Sequence, residues 1–568
     1  MEHALARTVE REAESMAFDM VIRNGTVVDG TGAPGFEADV AIEGDRIAAI
    51  GKNLGPGTRE IDARGQVVAP GFIDAHTHMD LFLVLYPHGN PVVNFGVTTV
   101  VIGDCGASVA PVPDGAEPTK VLVNYLRRVL DDYIDESSWQ WKTFPDYLNY
   151  LRGKVGINVA ALVPHSPVRL SVMGEAAYQR EARPDELEAM KRMVREGMQA
   201  GAVGFSTSPR GGPEIHAGTP STLATPDEIV ELAAAAGEFG GCFQFNGFGN
   251  LIRPETLAPG LVERVNTLMI GNEFRLRPGA PDEGRRSLAF MEEANQRGKE
   301  LTGVVIPYQH VRRFDIEDAF IFDGLPTWEA AKQAGDGKRA QLADPGVRQR
   351  IESERIAGAG KPAFPDWHGW ESVVFDHVDS ASLSTLEGKT VADVAQMTGK
   401  SPVDAFFDAW LQDDLRSGFY YRGIANGDLE VLAEMIKSPN GLIGTDCGAH
   451  LDRFFWHGAP ARVIGHWYRE KHLFPTLEEA VWKLTGYPAG KLGLNRGTLK
   501  VGLPADVTVF DPDRFQDLAM TRLPRKVDAQ EVQQHPPGIH AVVVNGQTVV
   551  EEGECLDAYP GIVGGAKL

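Results

Sequence analysis

Hydrophobic positions at the two ends of the chain recur in short β-branched runs punctuated by turn dipeptides. From Phe18 the text reads FDMVIRNGTVVDGTGAPGFEADVAIEGDRIAAIG, with Asn24-Gly25, Asp29-Gly30 and Glu43-Gly44 between the runs. This pattern predicts hairpins. It returns late in the chain as VGLPADVTVFDPDRF and IHAVVVNGQTVVEEGE, where Asn545-Gly546 separates two apolar runs. Residues 18–69 and 495–554 are therefore expected to form one small β-sandwich domain from both chain ends, with residues 70–494 folding between them as an insertion. Residues 1–17 read as a helical or disordered extension and 555–568 as a C-terminal tail.

The middle of the chain has a different rhythm. Apolar runs at 67–78, 97–105, 157–165, 202–208, 242–248, 301–310 and 442–446 are mostly followed by amphipathic stretches such as PDELEAMKRMVREGMQAG and TPDEIVELAAAAGEFGG. Strand and helix in repeated alternation predict a parallel sheet, and seven or eight repeats predict its closure, so the expected class is an α/β, (β/α)8 TIM-like barrel. One more barrel strand is expected at 371–377. The stretch from 312 to about 400 is long for a barrel loop and reads as a lid or inserted subdomain. Its aromatics, Phe314, Phe320, Phe322, Trp328 and Trp367, either face a bulky apolar group or make the lid's own core.

Charge and composition narrow the function. With 55 Lys plus Arg against 78 Asp plus Glu the net charge is −23, and no basic cluster offsets it. That argues against a nucleic-acid partner. The longest apolar runs fall well short of the roughly 20 residues that span a bilayer, so no membrane partner is expected. The first seventeen residues are charged throughout and do not read as a signal peptide. Four cysteines without a CxxC pair disfavour both a disulfide framework and a structural zinc finger, and a reducing, cytoplasmic setting is expected. A closed homo-oligomer is the expectation for an enzyme of this size.

Polar residues gather at the C-terminal ends of the apolar runs, where barrel enzymes build their sites. In VVAPGFIDAHTHMD, His76 and His78 stand two apart on an extended segment, so both imidazoles point to one face and can share a metal ion. In GLIGTDCGAHLD, the last run ends in Asp446. A carboxylate there can take a proton from a metal-activated water, or simply cap the next helix.

Seven blocks in this order, PGFIDAHTHMD, GVTTVVIGDCGASVAPV, LVPHSPVRLSVMG, AGAVGFSTSP, GTDCGAHLD, KLTGYPAGKLGL and RGTLKVGLPADVTVFDP, resemble the amidohydrolase superfamily, and within it the D-aminoacylase branch of N-acyl-D-amino-acid deacylases. The resemblance implies a metal-dependent barrel that hydrolyses a small-molecule amide with a metal-activated water, carrying one or two Zn2+ per chain. It implies His76 and His78 as ligands, Cys105 of GDCG as a thiolate ligand, and Asp446 as both ligand and general base, then acid. A free thiol's ordinary fate is a small buried hydrophobe, but a thiolate suits zinc. At the end of the fifth strand, where the branch has a histidine, the chain carries Asn246, a poor zinc ligand that is counted instead with the substrate-binding residues. On the sixth strand, taken as VVIPYQHVRR, His310 stands where a further histidine ligand is expected, and Arg312 where the branch has a cation for the substrate carboxylate. His165 is expected either to polarise the scissile carbonyl or to brace its strand end, and Arg169 to grip a carboxylate or to lie on the surface.

Two readings compete with the amidohydrolase. The missing histidine at Asn246 also fits a barrel that has lost catalysis and serves as a scaffold or binding protein. A retained metal would equally suit a cyclic amide, a carbamate or an ester, because fold does not fix substrate.

Overall fold

The computed structural model describes residues 17–565 apart from 116–118, 121, 124–138, 210–218, 247–256, 273–280, 317–318, 358–368, 424, 449–455 and 518–534. The expected extension, all but Ala17, and Trp367 lie outside the described residues.

Both chain ends meet in one nine-stranded sheet. Its hydrogen-bonded path runs Glu554–Cys555, Gln547–Glu551, Ile539–Val544, Val507–Phe510, Val67–Pro70, Phe18–Val27, Phe36–Glu43, Arg46–Gly51, with Gly57–Asp62 added in parallel to Phe18–Val27. Val67–Pro70 is the junction, parallel to Phe18–Val27 on one side and antiparallel to Val507–Phe510 on the other. Residues from both ends, among them Ile22, Val40, Val68, Val507 and Val543, fill one core cluster. The hairpin turns at Gly44 and at Asn545-Gly546 form as expected, the latter with left-handed φ of 45° and 79°. Asn24-Gly25 does not turn the chain: it sits inside Phe18–Val27 at a register shift, a bulge that bends the strand.

Gly71 separates that sheet from the barrel. Its N–H donates to Asp506, and a Cβ there would collide with Thr98. The eight parallel barrel strands in order are Phe72–Asp74, Val97–Ile102, Asn158–Pro164, Gly204–Thr207, Cys242–Asn246, Met269–Asn272, Leu301–Val305 and Gly441–Ile443. The first and last close the ring through their extensions, where Cys447 pairs with Thr77 and Gly448 with His78, and the Asp446 N–H donates to the His76 carbonyl at 2.9 Å. Alternate strand residues, such as Ile73, Val101, Ala160, Leu162, Ile270, Val304 and Leu442, point inward and fill the lumen.

Two expectations about strands need correction. The sixth strand is Met269–Asn272, and Leu301–Val305 is the seventh. Val373–His377 is a strand, but it belongs to a separate antiparallel sheet with Gly418–Arg422 and Val311–Phe314. This sheet, with helices such as Pro326–Lys332, Pro345–Ile356 and Pro402–Gln412, forms a unit inserted between the last two barrel strands. Phe314, Phe320, Phe322 and Trp328 pack into that unit's own core with Trp370, Phe406, Trp410 and Phe419, the blander of the two readings of these aromatics.

The C-terminal tail closes the foot of the barrel. Val563 bridges Val159 at the start of the third strand, and Ile562 packs against the lumen cluster. Beside it, Asn158 donates to Asp506 at 3.1 Å and accepts from Asn545 at 2.7 Å and from the Ile562 N–H at 3.0 Å. Asp506 in turn pairs with buried Arg496 and accepts from the Asn545 N–H.

Candidate metal centre

The histidine pair, the thiol and the last-strand carboxylate converge at the C-terminal mouth of the barrel. His76 and His78 are buried with their rings edge to face, 5.3 Å between centroids. The Nε2 atoms of His76 and His78 lie 3.1 and 3.3 Å from Asp446 Oδ1, and His76 Nε2 lies 3.9 Å from Cys105 Sγ. Among the described residues, His76, His78 and Cys105 are the group whose donor atoms all fall within 4.8 Å of one another.

Backbone geometry aims two of these side chains inward. Cys105 and Asp446 both adopt left-handed φ, 57° and 53°. Each such residue costs about 1–3 kcal/mol and persists only where its surroundings hold it. Gln244 Oε1 accepts from the Cys105 N–H at 3.0 Å and the Ser208 hydroxyl donates to the Cys105 carbonyl at 2.6 Å.

The donor set fits a zinc ion. Zn–N near 2.0 Å and Zn–S near 2.3 Å make tetrahedral edges of about 3.3–3.6 Å between ligand atoms. The separations of 3.1, 3.3 and 3.9 Å bracket those edges. Electrostatics agree. Burial opposes charge on His76, yet Asp104, Cys105 and Asp446 together hold its pKa well above the usual range, so this is an anionic pocket that favours a cation. Burial pushes the His78 pKa down, toward the neutral form that a metal ligand needs.

Asp104 is the residue sequence reasoning missed. It is fully buried, 3.3 Å from His76 Nδ1, and accepts from the Thr77 N–H at 3.2 Å and from Asn272 Nδ2 at 3.3 Å. A carboxylate behind a ligating imidazole fixes the ring's tautomer and turns Nε2 to the metal side. Its only signal in the sequence is its place beside Cys105.

The remaining expected site residues have the following surroundings. His310 follows the seventh strand rather than ending the sixth, and its ring lies tilted by 30° against Trp456, 4.2 Å between centroids. The sixth strand ends instead in Asn272, aligned with Asn246 on the fifth. His165 is fully buried with both ring nitrogens engaged, Nδ1 by the Thr207 hydroxyl at 2.8 Å and Nε2 by Glu228 at 2.9 Å. That is the geometry of a brace. Arg169 is buried, ion-paired to the same Glu228 and bonded to the Arg180 carbonyl at 3.0 Å. Its charge is answered inside the protein, which corrects the expectation of a grip on a substrate carboxylate. Arg312 lies in the inserted sheet opposite Tyr421, its guanidinium 4.2 Å over the Phe320 ring.

The amidohydrolase family model matches residues 59–242 and 356–550, more than half of the chain. The chain belongs to the amidohydrolase family. Among curated amidohydrolases it is 31% identical to a D-aminoacylase of Alcaligenes xylosoxydans xylosoxydans, over 97% of this chain and 98% of that one. The solved N-acyl-D-glutamate deacylase of Bordetella bronchiseptica, complexed with zinc and a phosphonate mimic of the tetrahedral intermediate, superposes with a TM-score of 0.65 at 28% identity, covering 97% of this chain and all of that one. A D-aminoacylase described by its binuclear metal centre, with one-metal activation and second-metal attenuation, gives 0.63 at 28% identity, over 96% of this chain and 99% of that one.

Proposed function

We propose that this amidohydrolase cleaves the carbon–nitrogen bond of an N-acyl-D-amino acid, a small-molecule amide, with Zn2+ as cofactor. The convergence of His76, His78, Cys105 and Asp446 at the barrel mouth carries the reading, and the names of the deacylase relatives support the substrate class. Zinc, when bound, polarises a carbonyl and lowers the pKa of a water to about 7. His76, His78 and Cys105 would hold the ion, with Asp104 behind the His76 ring to orient it. Asp446 accepts the water's proton and returns it to the departing nitrogen, closing the proton balance of the hydrolysis. Arg312 is assigned to the substrate carboxylate, with the Phe320 ring fixing its guanidinium. Four free cysteines support a reducing, cytoplasmic setting, and chain size a homo-oligomer. Among the described residues no helix is long and apolar enough to cross a membrane.

The test is release of free amine from a panel of N-acetyl-D- and N-acetyl-L-amino acids. Turnover of the D series, abolished by a chelator and restored by zinc, is expected. Zinc-loaded protein inactive on the whole panel would overturn the reading.

A further inference from the structure

The far side of the same mouth is lined by amides. Gln244 and Asn246 stand two apart on the fifth strand and share its inward face, and Asn272 is the aligned neighbour of Asn246 on the sixth. Gln244 and Asn272 both reach the metal-side turn, one through the Cys105 N–H, the other through Asp104 and, at 3.8 Å, Cys105 Sγ. The bond to Asp104 fixes which end of the Asn272 amide is which, and leaves Oδ1 turned away from it. Among the described residues that Oδ1 has no hydrogen-bond partner, and neither Nδ2 nor Oδ1 of Asn246 has one, although both residues are fully buried. A buried amide left unbonded costs about 1–3 kcal/mol per polar group. Three such atoms side by side at the mouth of a barrel are ready for a ligand.

The chemistry of that ligand follows from the atoms. A carboxamide is a poor metal ligand beside imidazole, thiolate or carboxylate, and no second group of three such donors occurs among the described residues. What Asn246 and Asn272 do offer is a donor and acceptors, the complement of a secondary amide with its C=O and N–H. We propose that the centre takes a single metal ion, on the His76, His78, Cys105 and Asp446 side, and that Asn246 and Asn272 form an amide clamp for the substrate's acyl-amide group on the opposite side. This rests on the deacylase reading above and says how the substrate is held. Asn246 Nδ2 donates to the acyl oxygen and Asn272 Oδ1 accepts from the amide N–H. Both are positioning residues that touch substrate rather than metal.

Metal counting tests this apart from activity. Wild-type protein dialysed against excess zinc and desalted is expected to retain about one equivalent, and the Asn246→His/Asn272→His double variant about two. Two equivalents in the wild type, or one in a folded double variant, would overturn the proposal. The Asn246→Ala variant gives an independent reading if the double variant does not fold. Unchanged zinc content with KM raised about tenfold on the best panel substrate is expected, the loss of one hydrogen bond. Loss of zinc from Asn246→Ala would make the amide a ligand and overturn the clamp, as would an unchanged KM. Zero zinc in the wild type, not restored by loading, is the separate signature that the deacylase reading itself has failed, and the clamp with it.

Discussion

Two asparagines at opposite ends of one barrel, Asn158 and Asn246, are equally buried, with no exposed surface. Asn158, at the foot, donates to Asp506 and accepts from Asn545 and from the tail at Ile562. The Asn246 side chain, at the mouth, has no hydrogen-bond partner among the described residues. The same side chain at the same depth is structure where its bonds are made by the chain and a binding group where they are left open. Burial alone does not separate the two roles, whereas the ledger of hydrogen bonds does.

The largest effect that would break this contrast is at the mouth. Asp446→Asn should keep the fold and lower kcat about a thousandfold, because the residue that moves the proton is lost; amine-release kinetics on protein of known zinc content check it. Turnover within tenfold of wild type would return Asp446 to a capping role.

Next comes the foot. Asp506→Ala removes the carboxylate that the buried Arg496 guanidinium and the Asn158 amide share, and removing one partner of a buried pair costs about 3–5 kcal/mol. A thermal melt should drop by several degrees while kcat and zinc content of the folded fraction stay unchanged.

The two asparagines themselves then give opposite outcomes. Asn158→Ala should lose about 2 kcal/mol of stability, the cost of unmade buried bonds. In stability, Asn246→Ala should be neutral or slightly favourable, because it removes polar atoms that had no partner. Equal losses in a denaturant titration would erase the distinction drawn here.

The smallest effect is a control away from both ends. Arg180, bonded to Glu186 at 2.8 Å, holds its carboxyl down at about 2, with Arg183 adding to the pull. This lies below the unfolded value of about 4.3, so the pair's contribution is full above about pH 4.3 and is lost as pH falls toward 2. Both arginines are more than a third exposed, so Glu186→Gln should cost no more than about 1 kcal/mol at pH 7. Its melt should converge on wild type near pH 2.

The sequence carried the metal side of the mouth well and the amide side poorly. His76 and His78 were legible because a two-residue spacing on a strand puts both rings on one face. Asp446 was legible because the last apolar run ends on it. The sixth strand escaped because Met269–Asn272 has four residues and closes on Gly-Asn, which reads as a turn. That slip assigned a ligand's place to His310 and hid Asn272. Val373–His377 was read correctly as extended, but periodicity does not say which sheet a strand joins. The brace of His165 depends on Glu228, a residue on a different helix with no local signal connecting them. The meeting of the two chain ends, by contrast, was visible from their shared turn chemistry.

That meeting sets a schedule for synthesis. The Val67–Pro70 strand leaves the ribosome early, while its partner Val507–Phe510 follows only after the whole barrel sequence. At roughly 5–20 residues per second the wait is of the order of a minute. Throughout it, one edge of the apolar VVAP strand is open to any other nascent chain. The residues that stopper the barrel's foot beside Val159 emerge later still. Closure of the barrel's foot therefore waits on residues that follow the whole barrel sequence, and a substitution at Val563 would act at a late step of assembly.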